Sequence, residues 1–199
     1  MAVLVTGGAR SGKSGFAEAC SARLGTRGIY VATSQPFDGE MAERAERHRL
    51  DRAVSGFPWE TVEEPLALAE LLGRMSEAYG GAGSSEPPVV LVDCLTLWLT
   101  NRLLALDEAD SFTARDADSE LERLIEELVL AAARYPHPLV LVTNEVGSGI
   151  VPEYSLGRRF RDLAGRLNRR MAEVCDRVFL VTAGIPVDIR KLAFRLEEL

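Results

Sequence analysis

Residues 7–14 read GGARSGKS, a G-x-x-x-x-G-K-S pattern lying between an apolar run and a helical stretch. The chemistry it suits is phosphate binding. Gly7, Gly8 and Gly12, with the small Ala9 and Ser11, let the backbone curl so that its N–H groups point inward at an anion. Lys13 can reach β- and γ-phosphates, Ser14 can hold Mg²⁺ through its hydroxyl, and Arg10 adds a second cation to the loop. The run VVLVDC, 89–94, ends a hydrophobic strand in Asp93, an oxygen ligand for Mg²⁺ directly or through water. An acid after an apolar strand says little alone; beside a phosphate loop it becomes the natural metal partner. Together these residues predict an enzyme that handles a nucleoside triphosphate with Mg²⁺. They do not choose between ATP and GTP, since no N-K-x-D guanine signature occurs.

The chain holds two histidines. His137, in RYPHPLV, reads as part of a loop leading into a buried strand. His48, in ERHRLDR, lies four residues from both Arg44 and Arg52, so one helical face could carry all three. Neutral imidazole is a competent nucleophile near pH 7, and flanking arginines would neutralise charge growing on a phosphate under attack. Spacing by itself favours an exposed histidine on a charged helix. A second polar concentration is TNEVGSGIVPEYSLGRRFRDLAGRLNRR. There Asn144 and Glu145 follow a strand, where a ligand or a metal-bound water could sit, and Gly147 and Gly149 shape a loop. Arg158, Arg161, Asp162 and Asn168 could recognise a phosphorylated substrate or a neighbouring subunit, or simply form a basic helix face.

The elements that must position these residues are legible in outline. Strands are expected at 2–6, 28–33, 89–94, 139–145 and 177–184. Helices are expected at 13–24, about 39–54, 65–79, about 118–134 with Asp118 or Ser119 as cap, and about 155–174. Residues 95–106 read as a leucine-rich helix or loop, and GGAGSSEPP, 80–88, as a solvent loop. Short apolar strands separated by helical stretches predict an α/β fold with a mostly parallel central sheet and helices on both faces. In such sheets ligands gather outside the carboxyl ends of the strands. Gly7–Ser14, Thr33, Asp93, Thr143–Gly149 and Thr182–Gly184 all fall there, which describes one active face.

At 199 residues the chain is expected to form a single domain over 1–199. The net charge of −7 argues against a nucleic-acid surface while leaving a locally basic phosphate pocket open. No apolar stretch is long enough to span a bilayer, and MAVLVTGG reads as a first strand and not as a signal peptide. Cys20, Cys94 and Cys175 lack metal-ligand spacing and suit a reducing, cytoplasmic setting.

GGARSGKS, HRLDR, WETVEEP, VDCLTLWLTN, TNEVGSGIVP, GRRFRDLAGRLNRRMA and LVTAGIP, in that order over nearly the whole chain, resemble the bifunctional adenosylcobinamide kinase/adenosylcobinamide-phosphate guanylyltransferases. The resemblance implies a P-loop nucleoside-triphosphatase-like fold and two reactions. In the first, ATP or GTP phosphorylates the aminopropanol hydroxyl of adenosylcobinamide. In the second, GMP passes from GTP to adenosylcobinamide phosphate through a guanylylated histidine, with release of pyrophosphate. The matching histidine is His48. The resemblance also implies guanine-nucleotide contacts from Ala32, Thr33 and Ser34, from Arg49, Leu50, Asp51 and Arg52, and from Glu63 and Asp93. It further implies a homo-oligomer, a trimer. The segment AVSGFP between Arg52 and Trp59 is a short insertion relative to the family pattern, and Ala45 replaces a larger aliphatic residue. Trp59 is expected to pack and not to stack on a base. Two rival readings are a single-function P-loop kinase or nucleoside triphosphatase, which needs no nucleophilic histidine, and a nucleotide-binding module without turnover.

Overall fold

The computed structural model describes residues 1–35, 39–80, 86–107 and 114–194; side chains at 40–42, 44, 45, 47, 48, 51, 114 and 115 lie outside that description. The chain runs β1 (Ala2–Gly7), α1 (Lys13–Leu24), β2 (Gly28–Ala32), α2 (Gly39–Val54), β3 (Trp59–Glu63), α3 (Leu68–Tyr79), β4 (Val89–Asp93), α4 (Leu95–Asp107), α5 (Ala114–Arg134), β5 (Leu139–Val142), α6 (Ser155–Val174), β6 (Arg177–Thr182) and β7 (Ile185–Asp188). The seven strands form one sheet in the order β3-β2-β4-β5-β1-β6-β7. Every pairing is parallel except β6 with β7.

Side-chain alternation along the strands divides the core into two layers. Leu4, Ile29, Val31, Val90, Val92, Leu139 and Leu141 face α3, α4, α5 and α6. Val3, Val5, Tyr30, Val89, Leu91, Val140 and Val142 face the other way, onto Ala17, Phe16 and Cys20 of α1. Central strands are thus buried on both faces, which is why they read as unbroken apolar runs. Each fully buried Val or Leu contributes roughly 1.5–3 kcal/mol over an exposed one. The α/β expectation holds, with helices on both faces of a mostly parallel sheet.

The differences fall at sheet edges and helix starts. β3 has no buried residue and β7 is a four-residue antiparallel strand, so neither carries the continuous apolar run that marks an inner strand. Residues 95–106 are helical, and the expected strand 139–145 stops at Val142. The expected helix at 65 begins at Leu68, because the Glu64 carboxylate accepts the Leu66 and Ala67 amides (3.2 and 2.7 Å) ahead of it. Asp118 and Ser119 are not caps: α5 starts at Ala114, and Asp118 within it accepts from Arg159 of α6. That contact begins a charge ladder between the two helices, continued by Arg166 with Glu122 and by Arg170 with Glu126. Such exposed pairs contribute up to about 1 kcal/mol each and serve mainly to set how the helices align. Most of residues 80–88, read as a loop, lie outside the described residues, and no helix among those described is long and apolar enough to cross a membrane.

Candidate active site

The carboxyl edge of the sheet gathers the predicted chemistry. β1 ends at Gly7, and residues 8–12 turn the chain into α1. Gly12 and Arg10 adopt left-handed φ values of 91° and 56°. Gly12 needs the absence of a side chain, since a Cβ there would also sit 3.2 Å from the Gly184 Cα. Arg10 holds a conformation that costs a non-glycine residue roughly 1–3 kcal/mol, the kind of strain found where a loop is shaped for a ligand. The loop is braced from outside as well: the Gly184 amide donates to the Ser11 carbonyl (2.9 Å), and the Glu145 amide to the Gly7 carbonyl (3.1 Å). Lys13 is buried and its Nζ donates to the Gly8 carbonyl (3.1 Å), which lays the ammonium across the curl. Ser11 Oγ and Thr6 Oγ1 are buried there without a hydrogen-bond partner among the described residues. Orphaned hydroxyls and a buried cation beside strained backbone make a cradle suited to an anion.

Asp93 closes β4. Its Oδ2 accepts from the Tyr30 hydroxyl at 2.9 Å, and a cation or its water could be held at Oδ1. Burial first, then the Asp93 charge, pushes the Tyr30 phenol far above its usual range, so it remains a donor. Thr33 is fully buried; its amide donates to the Asp93 carbonyl (3.2 Å), while its hydroxyl donates to the Cys94 carbonyl (2.7 Å) and accepts from the Cys94 amide (2.8 Å). The Thr33 side chain is therefore committed to the floor of the site, across the Asp93–Cys94 peptide, which is cis. Asn101 donates to the Thr33 carbonyl (2.7 Å), and Asn144 to the Thr96 hydroxyl (2.7 Å). Asn168 joins α6 to the same edge through Thr143 (2.6 Å) and the Asn144 carbonyl (3.0 Å). Burial pushes the Cys94 thiol up to about 11, so it is a neutral packing group and not a nucleophile.

Mg²⁺ is compatible with these donors. Among the described residues no three His, Cys, Asp or Glu side chains gather into a cage, and Mg²⁺ is ordinarily held by one or two protein oxygens with water and substrate phosphates. Ser14, in the first turn of α1, and the Asp93 carboxylate are the kind of set that would hold it. Asp93→Asn keeps the size and loses the charge; a magnesium titration of nucleotide-dependent turnover is expected to shift to higher metal concentration. Superimposable curves for the two proteins would remove Asp93 from the metal.

The helix carrying His48 is α2, and the His48 backbone lies one turn before Arg52; the side chains of His48, Arg44 and Asp51 are outside the described residues. Around them, Arg49 is exposed and lies 3.6 Å from Glu46 and 4.0 Å from Glu63, while Leu50 faces solvent. Arg52 differs: it is 5% exposed, and its guanidinium carbon sits 3.5 Å from the centre of the Tyr30 ring. Of the residues the family resemblance brought in, Arg49 and Glu63 thus face one another, and Arg52 meets Asp93 through Tyr30. Ala32 and Ser34 flank the buried Thr33 and are partly open. Trp59 packs edge-on against Tyr30 and Phe57, as expected of a packing residue. Tyr30 was not legible as a site residue: within GIYVA it looks like one more apolar strand position.

The arginines of α6 are largely engaged within the chain. Arg158 donates to the Pro152 and Glu153 carbonyls, Arg161 to Gly147, and Arg159 to Asp107 and Asp118. Asp162 lies in a groove of about 540 Å³ lined from α4, α5 and α6, which contains none of the expected nucleotide residues.

Known proteins resemble this chain over almost its full length. It is 44% identical over 187 residues to the bifunctional adenosylcobalamin biosynthesis protein CobP of Pseudomonas aeruginosa, covering 94% of this chain and 96% of that protein. It is 42% identical over 193 residues to the bifunctional adenosylcobalamin biosynthesis protein CobU of Escherichia coli, covering 96% and 100%. Among solved structures, the ATPase of a bacterial type III secretion system superposes with a TM-score of 0.52 at 11% identity, covering 100% of this chain and 60% of that one. A Pyrococcus horikoshii protein gives 0.53 at 11% identity, covering 98% and 88%. At such identity these two speak for the fold alone. Residues 3–189 match the family described as cobinamide kinase / cobinamide phosphate guanyltransferase, and the chain belongs to that family.

Proposed function

We propose that this protein phosphorylates the aminopropanol hydroxyl of adenosylcobinamide with ATP or GTP, and then converts the product to adenosylcobinamide-GDP through GMP carried on His48. The observation that carries the reading is the convergence at one sheet edge of the strained phosphate loop, buried Lys13 and Asp93. The helix bearing His48 is anchored to the same place through Arg52.

In the kinase step the amides of 7–14 and Lys13 hold the β- and γ-phosphates. The substrate hydroxyl attacks the γ-phosphorus, loses its proton, and the nucleoside diphosphate leaves. Mg²⁺, held by Ser14 and Asp93, would supply charge neutralisation across the phosphates. In the transfer step a His48 ring nitrogen attacks the α-phosphorus of GTP, the α–β bridging bond breaks, and pyrophosphate departs. A phosphate oxygen of adenosylcobinamide phosphate then attacks the same phosphorus and frees the imidazole. Splitting the transfer avoids bringing two polyanions together in one step. Ala32, Ser34, Arg49, Leu50, Asp51, Arg52 and Glu63 are proposed to surround the guanine nucleotide.

Intact-mass measurement after incubation with GTP and Mg²⁺, without corrinoid, tests the reading. A gain of one guanylyl group with release of pyrophosphate is expected; full kinase activity without any adduct would leave a single-function kinase.

We also propose one catalytic domain over 1–199, a cytoplasmic setting, and a homo-oligomer, a trimer by resemblance. The α6 arginines offer less to a neighbouring subunit than their number suggested, because α5 and the 147–153 loop engage them. Ile185, Leu192 and Phe194, each more than 60% exposed around the edge strand β7, offer apolar surface to a subunit instead. Light scattering across a concentration series should give a mass above that of one chain; a fully active monomer at micromolar concentration would exclude a shared active site.

A further inference from the structure

Tyr30 stands between two residues with separate duties. Its hydroxyl donates to Asp93 Oδ2 (2.9 Å), 63 positions away, and its ring carries the guanidinium of Arg52 from α2 (3.5 Å to the ring centre). Tyr30 and Arg52 are 6% and 5% exposed. The charge on Arg52 is poorly compensated for a buried group: among the described residues its one ion pair is with Glu18, at 4.0 Å, and its Nη1 has no hydrogen-bond partner. An apolar side chain would pack here at lower cost, so packing alone does not account for an arginine. The Tyr30 face is what receives it, with cation–π attraction strengthened by exclusion of water.

We propose that Tyr30 is a positioning residue that couples docking of α2, the helix bearing His48, to the orientation of the Asp93 carboxylate. With Arg52 seated, the Tyr30 ring is clamped between it and Trp59, and the hydroxyl holds one carboxylate oxygen so that the other faces the phosphate loop. Displacement of the last turn of α2 unclamps the ring and frees the carboxylate to rotate. The metal-holding acid of the kinase centre and the helix of the guanylyl-transfer residue thereby share one equilibrium. The inference rests on the reading of Asp93 as a magnesium ligand.

The test is a binding measurement. Affinity for a fluorescent GTP analogue with carbon bridging the α- and β-phosphorus, which cannot transfer GMP, is followed as Mg²⁺ is titrated. Tyr30→Phe keeps the ring and loses the hydroxyl. Its magnesium midpoint is expected to rise roughly tenfold, in line with loss of a charge-assisted hydrogen bond. Its nucleotide affinity in EDTA and its amide exchange across 49–54 should stay at wild-type values. Arg52→Met removes the clamp: faster exchange across 49–54 and a raised magnesium midpoint are both expected. An unchanged midpoint in Tyr30→Phe overturns the positioning role, and faster exchange with an unchanged midpoint in Arg52→Met overturns the coupling. An unchanged midpoint in Asp93→Asn overturns the metal assignment and this inference with it. The His48 adduct is read separately by mass, so failure of guanylylation and failure of the coupling are distinguishable.

Discussion

Lys13→Ala is expected to slow both phosphoryl and guanylyl transfer by roughly 10² or more, with the larger effect on turnover and the smaller on nucleotide affinity. Lys13 is 6% exposed and lies against the Gly8 carbonyl, so its charge acts in a water-poor curl of backbone and loses little to solvent screening. In the proposed kinase reaction that charge would offset the negative charge gathering on the bridging oxygen as the γ-phosphoryl group leaves. In the proposed guanylyl transfer the same charge would offset that of the departing pyrophosphate. One substitution should therefore damage two chemistries through one leaving-group site. Steady-state assays of each half-reaction, with a thermal melt confirming that the variant is folded, check the expectation. Near-normal rates in both assays would remove the phosphate loop from the mechanism; loss of one alone would show that the two reactions use separate nucleotide sites.

His48→Ala should abolish the covalent adduct and lower guanylyl transfer by at least roughly 10³, since a missing nucleophile cannot be replaced by neighbouring charge. Kinase activity should persist in large part, because the proposed γ-phosphoryl transfer would call on Lys13, Ser14 and Asp93 and on no covalent relay. The wild-type adduct should be labile in acid and comparatively stable in base, as expected for phosphorus bound to an imidazole nitrogen. Arg49→Ala should slow the step without abolishing the adduct: Arg49 is exposed, and Glu63 already lies 4.0 Å from it. Peptide mapping decides the assignment. Label on any residue other than His48, or specific label surviving in the alanine variant, would overturn it.

The phosphate loop was legible because all of its determinants lie within eight consecutive residues: glycine conformational freedom, a lysine at the first position of a helix and a hydroxyl beside it. The inner strands were legible because burial on both faces forces continuous Val, Leu and Ile runs. Asp93 at the end of one such strand followed directly. The role proposed for His48 rests on the family pattern, since a histidine among arginines has the same periodicity whether it attacks phosphorus or faces water. What only the tertiary structure decided are the pairings between distant segments. β3 and β7 exist because the sheet edge offers unpaired backbone to short segments with little apolar signal of their own. Asp118 faces Arg159 and not a helix end, because α5 extends a full turn earlier and packs beside α6. The strand order sets β2 next to β4, which brings the Tyr30 hydroxyl to Asp93 from 63 positions away, and the return of α2 lays Arg52 on the same ring. Local periodicity reports which face of an element is apolar; which partner that face meets is settled only when all the faces are buried together.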